Sequence, residues 1–217
     1  MKIWRKILSV FFPERCPYCN KIIYHGELSC EDCSRGLIRH PIERDAVGGY
    51  RTISAVPYTE PYENGVWELK FRGAIQFAPQ LAGVMAIAIK TGFAKENFDV
   101  ITYVPLHKIR QKERGYNQSE LLAKELSYLL ELPLEDLLTK IKNNPPQHST
   151  KASQRGDNVK NAYRIVDPKS VEGRKILLID DIITTGNTLG ECARMLRLSG
   201  ADEIFCATFA TVVAKTA

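Results

Sequence analysis

Two adjacent carboxylates stand directly before a run of hydroxyl and glycine residues. Asp180 and Asp181 follow the apolar run 176–179, and the sequence TTGNT at 184–188 comes shortly after them and opens a predicted helix. Free N–H groups at a helix N-terminus bind phosphate, and the acid pair can accept hydrogen bonds from a cis-diol or face Mg²⁺. One short segment can therefore hold both a sugar and its phosphate. An ordinary helix cap is the alternative, but it does not explain the acid pair.

Positive charge is concentrated in two stretches of the chain. The sequence of 217 residues carries 30 Lys and Arg against 25 Asp and Glu, a formal net charge of +5. Stretch 107–115 has four basic residues and one acid, and stretch 140–164 has six basic residues and one acid. This placement favours an anionic ligand over a generally basic surface. A solvated basic turn is the alternative for the first stretch.

Four of the six cysteines have the spacing of a metal site. Cys16, Cys19, Cys30 and Cys33 follow the pattern C-x2-C-x10-C-x2-C, which presents four thiolates to one tetrahedral ion. We predict structural zinc, because four thiolates leave no open coordination position. An iron–sulfur centre or a redox pair is the alternative. His25 could replace a ligand, but we interpret it as a surface residue.

The elements that position these residues alternate along the chain. Strands are predicted at 51–57, 99–104, 174–179 and 203–213, and helices at 62–71, 75–90, 118–130 and 188–199. This alternation favours an α/β fold with a parallel sheet and helices on both faces. Ligands of such sheets bind at the carboxyl ends of the strands.

Local patterns refine the predicted elements. Capping boxes are expected from Asn117 with Glu120 and from Thr188 with Glu191. The remaining cysteines are expected to be small core residues, and they are Cys192 and Cys206. We expect two domains, a small zinc-ribbon-like module with an N-terminal helix at 1–45 and a main domain at 46–217.

Composition excludes several classes of protein. The chain is 44% hydrophobic and 25% charged, which argues against a disordered chain, a collagen-like repeat or a coiled-coil rod. No apolar run reaches the ~18 residues of a membrane span. Residues 1–12 predict a short amphipathic helix rather than a signal peptide, with peripheral membrane contact as the alternative. We therefore expect a cytoplasmic protein.

The segment 176–188 resembles the phosphoribosyl-pyrophosphate signature of type I phosphoribosyltransferases. The resemblance implies that fold, with Mg²⁺ as cofactor, and a reaction that displaces pyrophosphate from the anomeric carbon of the sugar. It assigns the ribose hydroxyls to Asp180 and Asp181. It assigns the 5-phosphate to the turn that follows, which comprises Thr184, Thr185, Gly186, Asn187 and Thr188.

The same resemblance implies roles for the two basic stretches. The loop after strand 99–104 would face the pyrophosphate, and its assigned residues are Leu106, His107, Lys108, Arg110 and Arg114. The polar segment 143–161 would be a flexible hood that excludes water. There Lys151 and Arg155 would stabilise the leaving group, as catalytic residues beside Asp180 and Asp181. A plain surface loop is the alternative for this segment.

The order of motifs also resembles the ComF group of competence-associated, phosphoribosyltransferase-like proteins. FPERCPYC, LKFRG, RQKERGYNQ and PPQ occur in that order before the signature, so the resemblance covers almost the whole length. Asn144 stands where the group usually has Thr, and Tyr116 where it usually has Phe. The resemblance implies a bacterial protein with a four-cysteine zinc finger that is linked to the uptake of transforming DNA.

Three functions remain as hypotheses. The chain is a phosphoribosyltransferase of unknown acceptor, a module that binds phosphoribosyl pyrophosphate without chemistry, or an adaptor. The adaptor would contact single-stranded DNA, a competence helicase or DNA-processing proteins. The intact acid pair favours the first two. Only Tyr116 and Tyr163 accompany the basic stretches, which weakens a stacking platform for single strands.

Overall fold

The computed structural model describes residues 13–37, 40–143 and 161–213. The helices are α1 (Glu31–Ser34), α2 (Tyr62–Phe71), α3 (Ala78–Gly92), α4 (Lys108–Arg114), α5 (Gln118–Leu130) and α6 (Asn187–Leu198). The strands are β1 (Ile42–Glu43), β2 (Thr52–Pro57), β3 (Val100–Tyr103), β4 (Leu138–Lys140), β5 (Tyr163–Ile165), β6 (Lys175–Ile183) and β7 (Glu203–Thr211). Short 3-10 turns occur at Ile75–Phe77 and Pro168–Ser170. None of the helices in the described ranges combines the length and the apolar composition that a membrane span requires.

Five strands form the central sheet in the order β1-β2-β7-β6-β3. Strands β2, β7, β6 and β3 run parallel, and the two-residue β1 pairs antiparallel at the edge. Strands β4 and β5 form a separate antiparallel ribbon. Because β3 and β6 are parallel neighbours, the segments that follow them leave the same edge of the sheet side by side. The predicted parallel sheet is confirmed, with an added antiparallel edge strand.

Helices cover both faces of the sheet, as the sequence predicts. On one face, α2, α3 and α5 contribute to a buried cluster that includes Leu69, Leu81 and Leu122. On the other face, α6 and the β4–β5 ribbon surround Leu178 and Leu196. Residues of β6 alternate between the two clusters, as a strand buried on both faces requires.

The four-cysteine module packs on the first of these faces. The Tyr18 ring lies edge-on to Tyr62, with centroids 5.1 Å apart, and stacks with Phe209 at 6.3 Å. The Tyr62 hydroxyl donates to the Cys33 carbonyl at 3.0 Å. The module therefore shares the hydrophobic core of the sheet instead of standing apart from it.

Several local predictions need correction. Segment 105–117, expected as a loop, contains α4, whose residues favour a helix and which ends at Gly115 with φ +87°. Strand β6 continues to Ile183 because Asp180 pairs with Thr208 and Ile182 with Ala210. The acid pair therefore lies inside the strand and not after it.

The two expected capping boxes behave differently. Asn117 caps α5, accepting from the Ser119 N–H at 3.1 Å. The Thr188 box is wrong, because α6 begins at Asn187 with Gly186 as its N-cap. Glu191 instead accepts from the Asn161 N–H and from Arg194. Both single cysteines are fully buried, as expected.

Candidate functional site

Asp180 and Asp181 form a buried carboxylate pair near the carboxyl edge of the sheet. They are 9% and 5% exposed. Asp180 Oδ1 accepts hydrogen bonds from Ser119 Oγ at 2.8 Å and from the Asp181 backbone N–H at 2.9 Å. Within the described part of the chain, Asp180 Oδ2 has no hydrogen-bond partner. It is therefore the oxygen of this carboxylate that remains open to a ligand.

Both oxygens of Asp181 are already engaged. Oδ1 accepts from the Ile182 N–H at 2.8 Å, and Oδ2 accepts from Gln118 Nε2 at 3.0 Å. Lys70 Nζ forms an ion pair with the same Oδ2 at 3.0 Å. Sequence reasoning noted the LKFRG motif but gave Lys70 no role. The missed signal is a lysine next to Leu69, on a helix face that packs into the core.

Different surroundings give the two acids different pKa values. Burial and the neighbouring Asp181 charge raise the pKa of Asp180 to about 7. Burial also opposes the charge on Asp181, but Lys70 and Gln118 outweigh it and hold the pKa of Asp181 below its usual range. The pair therefore carries one charge that is fixed by Lys70 and a second that titrates near neutrality.

The open oxygen atoms of the site fit a hard cation or a sugar hydroxyl. Besides Asp180 Oδ2, the buried Gln118 Oε1 has no partner among the residues that the structure describes. Mg²⁺ prefers carboxylate, carbonyl and water oxygens. The donor set therefore fits Mg²⁺ as well as the hydroxyls of a cis-diol.

The turn 184–188 joins this pair to the N-terminus of α6. Gly186 has φ +77°, and a Cβ placed there would lie 3.2 Å from the Ala46 Cα and the Val47 N. The segment that contains Ala46 and Val47, which follows β1, thus packs directly against Gly186. Thr184 is exposed and Thr185 is half-buried. Free N–H groups of the first turn of a helix are suited to bind phosphate.

Basic residues from both predicted stretches lie around the acid pair. Burial opposes the charge on Lys70, but Asp181 outweighs it and raises the pKa of Lys70, while the nearby Arg114 acts in the opposite direction. Burial lowers the pKa of Lys140 in β4, where Asp180 and Arg110 also act on it. Lys140 belongs to the second basic stretch but has no role that the sequence predicts. The structure adds Lys140 and Lys70 to the expected set of cations.

Other residues of the expected pyrophosphate loop lie at the same edge. Leu106 and His107 are half-buried between β3 and α4, and Lys108 is exposed. The Ile109 N–H donates to His107 Nδ1 at 3.4 Å, so this ring caps α4. The expected hood residues Lys151 and Arg155, the variant position Asn144 and the N-terminal helix lie outside the described residues.

Two exposed aromatic rings alternate with arginines beside this site. Trp67 and Phe71 of α2 are 41% and 52% exposed, with centroids 6.0 Å apart. The Arg72 guanidinium lies 5.0 Å from the Trp67 centroid, and Arg114 lies 5.8 Å from that of Phe71. Neither ring lies within the two basic stretches of the sequence. The four-residue spacing of Trp67 and Phe71 on one helix is the signal that could have found them.

The four cysteines meet at one point. Their Sγ atoms lie within 4.8 Å of one another, and a tetrahedral ion with bonds of about 2.3 Å places sulfurs roughly 3.8 Å apart. The Cys33 backbone N–H lowers the pKa of the Cys30 thiol to about 7, whereas burial raises the pKa of the Cys19 and Cys33 thiols. His25 is exposed and bonded to Glu14, outside the cluster. The cluster therefore fits a zinc module.

Sequence comparison decides the family. Competence protein F of Haemophilus influenzae is 30% identical over 194 residues, which cover 87% of this chain and 82% of that protein. The chain belongs to the ComF family. The DNA utilization protein YhgH of Escherichia coli K12 is 31% identical, and the alignment covers 87% of this chain and 80% of that protein. Competence protein ComFC of Bacillus subtilis is also 31% identical, and the alignment covers 85% of this chain and 72% of that protein. The resemblance to ComF stated from the motifs is confirmed.

A second comparison concerns the fold of this ComF-family chain. The family model of the phosphoribosyl transferase domain matches residues 116–217, which include α5, β6, α6 and β7. Together with the observed sheet, this match confirms a type I phosphoribosyltransferase-like fold. The crystal structure of adenine phosphoribosyltransferase from Thermoanaerobacter pseudethanolicus is 15% identical to this chain and has a TM-score of 0.40. The alignment covers 83% of this chain and 98% of that chain.

Proposed function

We propose that this ComF-family chain binds phosphoribosyl pyrophosphate with Mg²⁺ at the acid pair, and that it serves the handling of incoming DNA. The observation that carries the proposal is the continuity of Asp180 and Asp181 with the glycine turn that opens α6. The names of its relatives, which refer to competence and DNA utilization, support the biological setting.

Each part of the site has a role in this proposal. Asp180 Oδ2 and Gln118 Oε1 receive the ribose hydroxyls or Mg²⁺, because they are the open acceptors. The turn 184–188 donates N–H groups to the 5-phosphate. Lys70 keeps Asp181 ionised and fixed in place. When bound, Mg²⁺ neutralises charge on the pyrophosphate.

The same arrangement would also allow transfer of the phosphoribosyl group to an acceptor. A lone pair of the acceptor forms a bond to the anomeric carbon while the bond from that carbon to pyrophosphate breaks, and pyrophosphate leaves with the bonding electrons. Negative charge grows on the leaving group, so nearby cations stabilise the transition state. Arg110, Arg114 and Lys140 can supply this charge, and Lys151 and Arg155 remain predictions for the same role.

A thermal-shift experiment tests the binding proposal. Phosphoribosyl pyrophosphate with Mg²⁺, at a hundred times its dissociation constant, would stabilise the chain by about 2.7 kcal/mol, a rise of several degrees in Tm. We expect Asp180→Asn to abolish the rise. Asp202→Asn, an exposed acid before β7, is the matched control and should keep it. An unchanged Tm for the wild type, or an equal rise in Asp180→Asn, would contradict the proposal.

The aromatic pair on α2 favours a second candidate function, the binding of single-stranded DNA. Trp67 and Phe71 offer two exposed rings that bases can stack on, and Arg72 and Arg114 lie over them. Alternation of rings and cations is typical of surfaces that bind single strands without sequence preference. This surface supports the adaptor hypothesis more strongly than the sequence did.

Titration with a labelled oligothymidine tests this second candidate. Each base stacked on a ring contributes about 1–3 kcal/mol, so Phe71→Ala should weaken binding at least about fivefold. Tyr128→Ala, an exposed ring on α5, is the control and should bind as the wild type does. In a Trp4→Phe background, Trp67 is the single tryptophan and its fluorescence should change on binding. Equal affinity of Phe71→Ala and Tyr128→Ala would exclude the platform.

A further inference from the structure

Arg114 lies at the junction of the two binding surfaces proposed above. It is the last residue of α4, and its guanidinium lies 5.8 Å from the ring centroid of Phe71. The residue before Phe71 is Lys70, whose ammonium pairs with Asp181 Oδ2 at 3.0 Å. Arg114 is also close enough to oppose the charge on Lys70. Consecutive residues of α2 thus belong to the two surfaces, and Arg114 lies where these surfaces meet.

The C-terminal end of α4 is anchored against α2. The Tyr116 hydroxyl donates to the Leu69 carbonyl, which ties the segment after α4 to the last turns of α2. Gly115 ends α4 with φ +87°, so the chain turns directly after Arg114. Because the backbone is anchored within two residues of Arg114, its guanidinium can serve only groups within the reach of one side chain from this junction.

The guanidinium of Arg114 has N–H groups to offer a ligand. Among the residues that the structure describes, it has no ion pair and no side-chain hydrogen bond, although the residue is half-buried. An arginine can stack on a ring and bind phosphate oxygens in a bidentate manner. Both proposed ligands carry phosphates, in the backbone of a single strand and in pyrophosphate. One guanidinium cannot make its full set of contacts to both of them at once.

We propose that Arg114 is shared between the two surfaces, so that a single-stranded oligonucleotide and phosphoribosyl pyrophosphate each weaken the binding of the other. The inference rests on both functions proposed above and adds a coupling between them. The remaining residues are separate, with Trp67, Phe71 and Arg72 on one surface and the acid pair and the turn 184–188 on the other. A ternary complex therefore still forms, with lower affinity, and phosphoribosyl pyrophosphate favours the release of DNA from α2.

Titration of the full chain with a fluorescent oligothymidine that lacks a terminal phosphate tests the coupling. The titration is repeated at rising concentrations of phosphoribosyl pyrophosphate, at constant free Mg²⁺ and ionic strength. We expect the dissociation constant of the oligothymidine to rise about tenfold and then to reach a plateau, and the reverse titration to give the same factor, because coupling is reciprocal. An unchanged or lower dissociation constant would overturn the inference. A rise without a plateau would also overturn it, since both ligands would then occupy one site.

Two variants that each remove one positive charge separate a shared contact from general repulsion between anions. Arg114→Gln should weaken the binding of both ligands and reduce the coupling to less than about twofold. Lys169→Gln removes an exposed charge near the start of β6, at the opposite edge of the sheet from the acid pair, and should keep both affinities and the full coupling. Full coupling in Arg114→Gln, or an equal loss in both variants, would overturn the sharing. If Arg114→Gln does not fold, Arg114→Lys replaces it, because lysine lacks the planar fork and should also lower the coupling.

Failure of the inference and failure of the proposed functions give different results. If one ligand alone does not bind the wild type, the function proposed for it fails, and the inference fails with it. If both ligands bind the wild type and neither changes the affinity of the other, the inference alone is overturned and both proposed functions stand.

Discussion

Replacement of Lys70 by methionine tests the electrostatics of the acid pair. The ammonium lies 3.0 Å from Asp181 Oδ2, and the two side chains are 28% and 7% exposed. Loss of one partner of a fully buried ion pair costs about 3–5 kcal/mol. Because water reaches part of Lys70, we expect Lys70→Met to lower the free energy of unfolding by about 2–3 kcal/mol at pH 8.

The loss should depend on pH with a defined sign. In the wild type, Lys70 holds the pKa of Asp181 below its usual range. The ion pair therefore stabilises the folded state fully above the unfolded pKa of about 3.9, and this contribution is lost as pH falls through the pKa of Asp181 in the folded state. Without Lys70, burial raises the pKa of Asp181, and ionisation destabilises the fold as pH rises. The difference between wild type and variant should therefore already be present at pH 4.5 and grow further toward pH 8.

Urea unfolding of four proteins at pH 4.5 and pH 8 measures this effect. Lys70→Met with Asp181→Asn should recover most of the stability, because an amide needs no counter-ion. Lys90→Met, at an exposed lysine of α3, is the control and should change stability by less than about 0.5 kcal/mol. A Lys70→Met loss below about 0.5 kcal/mol, or one equal at both pH values, would refute the reasoning.

Three further predictions concern the scaffold. Gly190→Ala should destabilise the chain by more than about 1 kcal/mol in urea, because its Cβ would lie 2.2 Å from the Val47 carbonyl oxygen; stability equal to the wild type would contradict this packing. Glu135→Gln should cost about 0.5–1 kcal/mol at pH 7, since Arg174 lowers the pKa of Glu135; the difference should vanish as pH falls through that pKa, and a difference that persists at pH 2–3 would exclude the pair as its cause. Chelation of the metal should lower Tm by at least about 4 °C, and less than half a zinc ion per chain by metal analysis would count against the zinc module.

Hydrophobic periodicity predicted most of the fold, because it reports which side chains the sheet and helices bury. The predicted helix at 62–71 coincides with α2, and the predicted strand at 174–179 overlaps the buried strand β6, which begins at Lys175. Periodicity does not report where pairing stops. Strand β6 therefore runs on through the acid pair, since β7 continues to supply backbone partners up to Thr211.

The site was only partly predictable, for a similar reason. The motif at 176–188 predicted that Asp180 and Asp181 lie next to the glycine turn, because the acid pair and the turn are nearly consecutive in the sequence. Lys70 lies more than 100 residues earlier in the sequence, and only the tertiary packing of α2 on the sheet brings it to Asp181. The same holds for Phe71, which contacts Arg114 of the basic helix α4 only through tertiary packing.

The most direct test of the proposed function is calorimetric titration of the zinc-loaded chain with phosphoribosyl pyrophosphate and Mg²⁺. We expect one binding event per chain, lost in the double variant Asp180→Asn with Asp181→Asn while the circular dichroism spectrum stays that of the folded protein. No heat and no rise in Tm with the wild type at millimolar ligand would contradict the assignment of this edge of the sheet as a phosphoribosyl-pyrophosphate site.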